Sequence, residues 1–125
     1  MVKTITSILI VACLLIVGAI YENNFVTKQF NEMHEVLVTL YDKVDDTTAT
    51  QDDVYAVQKN WIAKKKVLHI FIPHNDIKEM DLWLAESATL VRDKEWKDAI
   101  SKIEVLIELT EQIPKTFMLS WENIL

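Results

Sequence analysis

Three histidines, one cysteine and a run of three lysines are the side chains of this 125-residue chain whose chemistry suits metal binding, nucleophilic attack or anion binding. His69 and His74 flank Pro73, with Asp76 and Glu79 just beyond. A His-His-Asp set is able to hold a divalent ion. The spacing, two histidines five apart across a helix end, matches no metal signature, and the His-Glu-x-x-His arrangement is absent. His34-Glu35 has no second histidine four residues on. The ordinary reading is therefore preferred: His69 at the negative end of a helix dipole, and His74 a loop residue bonded to nearby backbone. No metal ligand and no cofactor are expected.

Covalent catalysis finds little support. Cys13 lies inside an apolar run, and the single glycine, Gly18, leaves neither a nucleophile elbow nor a phosphate-cradling loop. The carboxylates fall on polar helix faces, and Asp52-Asp53 suits first-turn charges that complement a helix dipole. The chain is not expected to be an enzyme.

Lys64, Lys65 and Lys66 form the one basic cluster. On a helical wheel Lys64 and Lys65 fall near the apolar face of Trp61 and Leu68, so their stems can cover the core while the ammonium groups reach out. The cluster is either a patch for anionic headgroups or an acidic partner, or a solvated helix end favoured by the dipole. Leu82 and Val105 sit on otherwise polar faces, which is normal for single residues. Together with Trp121, Ile124 and Leu125 of the apolar tail they are able to make a contact patch. The interaction candidates are Lys64, Lys65, Lys66, His74, Leu82, Trp121, Ile124 and Leu125. The four tryptophans suit core anchors before ligand stackers.

The elements that must carry these residues are helices. Half of the chain is hydrophobic, which excludes wholesale disorder. One glycine and two prolines are too few for the tight turns of a β-rich fold. Residues 8–20 are thirteen apolar or small residues in succession, and residues 4–21 are uncharged. Those eighteen residues span about 27 Å as a helix, close to the ~30 Å hydrocarbon core of a bilayer. Lys3 can snorkel at one end and Tyr21 can sit in the interface at the other. An uncleaved signal-anchor fits this length best. A cleaved signal peptide, with Val17-Gly18-Ala19 at the cleavage site, and a lipoprotein signal at Cys13 remain as alternatives. The second conflicts with the seven apolar residues that follow Cys13.

With the anchor at residues 1–21, residues 22–125 form an acidic domain. It carries twelve Lys+Arg against nineteen Asp+Glu, net −7. Lys3 on the short N-terminal side points, by the positive-inside rule, to a cytoplasmic N-terminus and an extracytoplasmic domain. The acidity argues against nucleic acid as a partner. Cys13 has no second cysteine to pair with.

Hydrophobic periodicity predicts four helices. Val26, Phe30, Met33, Leu37, Leu40 and Val44 recur at spacings of three and four, and no Gly or Pro parts them from the apolar run. One continuous helix over residues 4–45 is expected. Thr50 and Asp53 suit a capping box for a second helix ending at Ile72-Pro73, with Val54, Val57, Trp61, Leu68 and Phe71 on its inner side. Asn75 or Asp76 is the expected cap of a third, burying Ile77, Met80, Leu84, Ala88 and Val91. Asp93 is the expected cap of a fourth, which carries Trp96, Ala99, Ile100, Ile103, Leu106, Ile107 and Thr110 and stops at Ile113-Pro114. The tail is expected to fold back on the bundle, with Ser120 capping a helical turn.

The predicted fold is all-α: an N-terminal transmembrane helix continuing into an up-down four-helix bundle. Stacked helical hairpins of tetratricopeptide type are the alternative, suggested by two Ile-Pro helix ends about forty residues apart.

These features resemble a domain-of-unknown-function family of small membrane-anchored helical proteins from spore-forming Gram-positive bacteria. The features that carry the likeness are the hydrophobic run followed by Tyr21-Glu22-Asn23-Asn24, Trp61 with Lys64-Lys65-Lys66, Phe71-Ile72-Pro73-His74, and the terminal Glu122-Asn123-Ile124-Leu125. The likeness implies an accessory role beside multi-spanning membrane proteins and implies no catalytic residue. The expected function is a non-enzymatic, membrane-anchored helical interaction module. Residues 4–21 would lie in lipid, Gly18 and Ala19 would make lateral contacts, and the partner would be another membrane protein or a second copy. The alternative is a ligand-sensing extracytoplasmic bundle.

Overall fold

The computed structural model describes residues 1–124, residues 121 and 124 by their backbone alone. Among the described residues there are four helices and no strand: α1 (Val2–Asp45), α2 (Gln51–Leu68), α3 (His74–Arg92) and α4 (Trp96–Ile124). α1 is 44 residues long, about 66 Å. Its first part has almost no cover. From residue 5 to residue 20 the large apolar side chains are exposed by between 49% (Ile16) and 66% (Leu14). Its second part is a core helix, and Val26, Phe30, Met33, Leu37, Leu40 and Val44 are all buried. One helix, long and apolar enough to cross a membrane, thus runs without a break into the bundle.

Each helix packs against its neighbours in sequence, and α1 also packs against α4. That last contact closes the ring into an up-down bundle, which an open stack of hairpins would leave unmade. The core unites the α1 stripe with Val54, Val57, Trp61 and Leu68 of α2, Ile77, Met80, Leu84 and Val91 of α3, and Ala99, Ile103, Leu106 and Ile113 of α4. Phe71 and Ala88 are half-buried against it.

The first turn follows the sequence closely. Thr50 Oγ1 accepts from the Asp53 amide at 3.3 Å, and Asp53 Oδ2 accepts from the Thr50 amide at 2.8 Å, a complete capping box. The other boundaries differ from expectation. α2 ends at Leu68 and not at Ile72: residues 69–72 wind down through bonds such as Phe71 N to Leu68 O at 2.9 Å, because Pro73 forces the residue before it out of helical backbone. α3 begins at His74, with Pro73 in the N-cap position and no side-chain cap. Asn75 and Asp76 therefore lie in its first turn, and His74 is helical and not a loop residue.

Asp93 is the C-cap of α3 and not the N-cap of α4. Lys94 takes φ 57°, its amide bonds Val91 O, and the Glu95 amide bonds Leu90 O. This is a Schellman ending with lysine where glycine usually stands. Thr47 does the same after α1, with φ 57° and Thr48 N bonding Lys43 O at 2.8 Å.

The largest difference is in α4, which passes through Pro114 to Ile124, so the tail extends the helix and does not fold back. A mid-helix proline costs about 3 kcal/mol. Here Ile113 and Pro114 are buried and Phe117 packs on the core, so the apolar stripe continues past the proline and holds the helix together.

Candidate functional site

The polar residues singled out by the sequence gather at the end of the bundle where α1 enters it. Lys64 lies on α2 between two side chains of α1: its Nζ is 2.6 Å from Glu32 Oε2 and 3.3 Å from Gln29 Oε1. Only 10% of its side chain is exposed, so the stem is core and the ammonium group is held. That ammonium group, by hydrogen bond and charge, holds the Glu32 carboxyl below its ordinary pKa. Lys65 Nζ sits 3.2 Å from both oxygens of Asp81, and Asp81 Oδ1 also accepts from the buried Trp61 indole at 2.7 Å. Asp81 thus joins α3 to two turns of α2. No local pattern marks Asp81, Glu32 or Gln29 in the sequence, because their partners are 16 to 35 residues away. Among the three lysines only Lys66 has no ion pair among the described residues.

His69 Nδ1 lies 3.2 Å from the Lys65 carbonyl at the end of α2, where a helix leaves its last carbonyls unsatisfied. His74 is exposed at the first turn of α3. Leu82 is exposed by 55%, about two turns further along α3. Trp121 and Ile124 as side chains, and Leu125 altogether, lie outside the described residues. Among the described residues no three His, Cys, Asp or Glu side chains converge closely enough to hold a metal ion.

Two clefts open near these residues. One, of about 260 Å³, is framed by Phe71, Ile72 and Pro73 of the α2–α3 turn and by Ile113 and Phe117 of α4, with Asp76 at its edge. Burial there, followed by the neighbouring Glu79 charge, raises the Asp76 carboxyl above its ordinary value. The second, about 360 Å³, runs between α1 and α4 around Pro114, where His34 Nε2 lies 3.3 Å from Glu111 Oε1. The first is a wedge between helix ends, the second a groove between two helices with polar residues along its edges. Thr116 and Ser120 share the first cleft with Asp76, and Thr27 and Thr110 share the second with His34; the Thr110 and Thr116 hydroxyls donate to carbonyls of their own helix.

Residues 20–124 match the family described as a domain of unknown function, DUF4363. The chain belongs to that family. The DUF4363 match takes in all of α2, α3 and α4 and the bundle part of α1, and it begins where the uncovered apolar segment ends. Neither the curated proteins nor the solved structures contain a match to this chain.

Proposed function

We propose that this DUF4363 protein is a non-enzymatic, membrane-anchored helical module that works as an accessory subunit of another membrane or envelope protein. Residues 4–21 would be the anchor, the N-terminus would lie in the cytoplasm, and the bundle would stand outside. The observation that carries the reading is the division of α1. One half is an apolar rod covered only at Ala19, which is buried and so not free for the lateral contact expected of it, and the other half is the central stripe of a closed core. A rod of that kind is stable only with lipid or another apolar helix around it. Because the helix is unbroken, whatever the anchor meets in the bilayer is coupled rigidly to the bundle. Lys64, Lys65, Trp61 and His69 nearby spend their bonds on Glu32, Asp81 and a helix carbonyl, as in a scaffold.

The test is a pull-down of full-length tagged protein from detergent-solubilised native membranes, with mass spectrometry of the co-purifying proteins. A reproducible stoichiometric membrane protein supports the accessory role. Recovery of the chain alone contradicts it.

A ligand-sensing bundle is the second reading, and the cleft beside Asp76 favours it. This cleft and the one around Pro114, about 260 and 360 Å³, straddle the ~300 Å³ where small-molecule pockets begin, and both open at the surface between helices and not inside the packed core, which ranks this reading second.

A further inference from the structure

Cross-helix contacts fix which parts of the bundle lie where α1 leaves its apolar run. The rings of Phe25 and Phe71 meet with centroids 5.9 Å apart, so the α2–α3 turn is level with residue 25. His34 meets Glu111 and Tyr41 meets Glu104, so α4 runs antiparallel to α1, and Leu119 comes level with Val26. Four residues separate Tyr21 from Phe25, a rise of about 6 Å. The headgroup layer outside the hydrocarbon core is itself about 5–7 Å thick on each side. With residues 4–21 in the bilayer, the α2–α3 turn and the last turns of α4 already stand at headgroup depth.

Apolar tips and lysines are exposed at this end, together with the acidic Glu79 and Glu122. Ile70 is 69% exposed at the tip of the turn, and Leu119 and Met118 are 57% and 43% exposed near the end of α4. Lys66, Lys78 and Lys115 are exposed at the same end and have no ion pair among the described residues. Charge is divided in the same sense. The half of the bundle nearer the apolar run, residues 22–33, 63–82 and 112–124, holds six acidic and six basic side chains. The far half, residues 34–62 and 83–111, holds thirteen acidic and six basic. An anionic surface repels the far half and tolerates the near one.

We propose that the base of the bundle is seated in the headgroup layer of an anionic leaflet, with Ile70, Met118 and Leu119 entering the interface and Lys66, Lys78 and Lys115 reaching lipid phosphates. The inference rests on the anchoring of residues 4–21 proposed above. A lipid surface is the occupant because it touches the turn and the end of α4 together at one depth, and because apolar tips flanked by lysines are what interfacial segments present. Seating would give the bundle a fixed height and tilt, so that a partner in the same membrane meets it in one orientation.

The test uses the full chain with Cys13→Ser, in nanodiscs of phosphatidylcholine and phosphatidylglycerol, carrying a polarity-sensitive fluorophore on Ile70→Cys, Leu119→Cys or, as a far-end control, Thr48→Cys. At the ~5–10 Å insertion of interfacial segments, probes at 70 and 119 should shift to the blue and lose roughly half their emission to headgroup-nitroxide lipid, while the probe at 48 is unchanged. The combined Lys66→Glu, Lys78→Glu and Lys115→Glu exchange should weaken the quenching at 119, and unchanged quenching would overturn the role given to the lysines. Probes at 70 and 119 that are as wet and unquenched as the control, on protein that still co-elutes with the discs, overturn the seating and leave the anchor standing. A blue shift without quenching means that another copy covers this end, which also overturns it. Protein that does not stay with the discs overturns the anchoring itself.

Discussion

The far end of the bundle closes α1 and α3 with backbone bonds in Schellman turns at Thr47 and Lys94, caps α2 with Thr50 and Asp53, and ties Lys43 Nζ to Asp53 Oδ1 at 2.8 Å. The end beside the apolar run leaves α3 without a side-chain cap, winds α2 down over residues 69–72 and exposes Ile70, Met118 and Leu119. Thirteen of the nineteen acidic residues belong to the far half. Polar closure and negative charge suit an end surrounded by water. Apolar tips with lysines suit an end that meets a surface. Two ends of one bundle built from the same amino acids thus differ in the way expected if they face different media.

The largest expected effect concerns Trp61, which packs its ring on Phe30 and donates its indole N–H to Asp81. Trp61→Ala should cost about 3–5 kcal/mol in chemical denaturation, as large-to-small core changes do. A loss under about 1 kcal/mol would mean that the bundle does not depend on this core contact.

Smaller effects should separate the two ends. Thr47 and Lys94 hold left-handed backbone that costs a non-glycine residue about 1–2 kcal/mol. Thr47→Gly and Lys94→Gly should each stabilise by about 1 kcal/mol. Ile70→Gly at the near end, where no left-handed backbone needs relief, should not stabilise at all. Thr50→Ala should cost about 1 kcal/mol by removing the cap. Denaturation midpoints of the four variants check the set.

The smallest effects are in pH dependence and have opposite signs at the two ends. The Lys43 ammonium group and the Thr50 amide hold the Asp53 carboxyl below its ordinary value. Its contribution is present above the unfolded aspartate pKa and is lost as the pH falls through the folded one. Asp76 is raised by burial and by Glu79, so its charge costs stability as the pH rises through the unfolded and then the folded value. Asp53→Asn should lower the stability at neutral pH and Asp76→Asn should raise it. Both differences should vanish in acid strong enough to protonate both carboxyls. Carboxyl titrations by NMR should find Asp53 below and Asp76 above the ordinary aspartate value.

The sequence displays the α1 stripe, the four helices and the Thr50 cap, because periodicity and a three-residue box are local signals. The two prolines show where local reading stops. Both follow an isoleucine, yet Pro73 marks a break and Pro114 does not. Asn75 and Asp76, residue types that favour a helix start, follow Pro73, whereas Lys115-Thr116-Phe117 prolongs the apolar stripe after Pro114, a difference present in the residues. The far turns were hidden for another reason: without glycine at Thr47 and Lys94 the usual mark of a helix end is missing. At the base, the lysine run was visible but its occupation by Glu32 and Asp81 was not, since that pairing exists only once α1 and α3 lie against α2. The exposed Ile70 joins Leu119 only through the antiparallel register of the bundle.

The measurement that tests the account most directly is alkaline extraction of cell membranes containing the full-length protein. If residues 4–21 are an anchor, the intact chain stays in the membrane pellet after washing at high pH, as a spanning helix does. Release of the intact chain into the supernatant would contradict the anchored module and, with it, the meaning given to the two ends of the bundle.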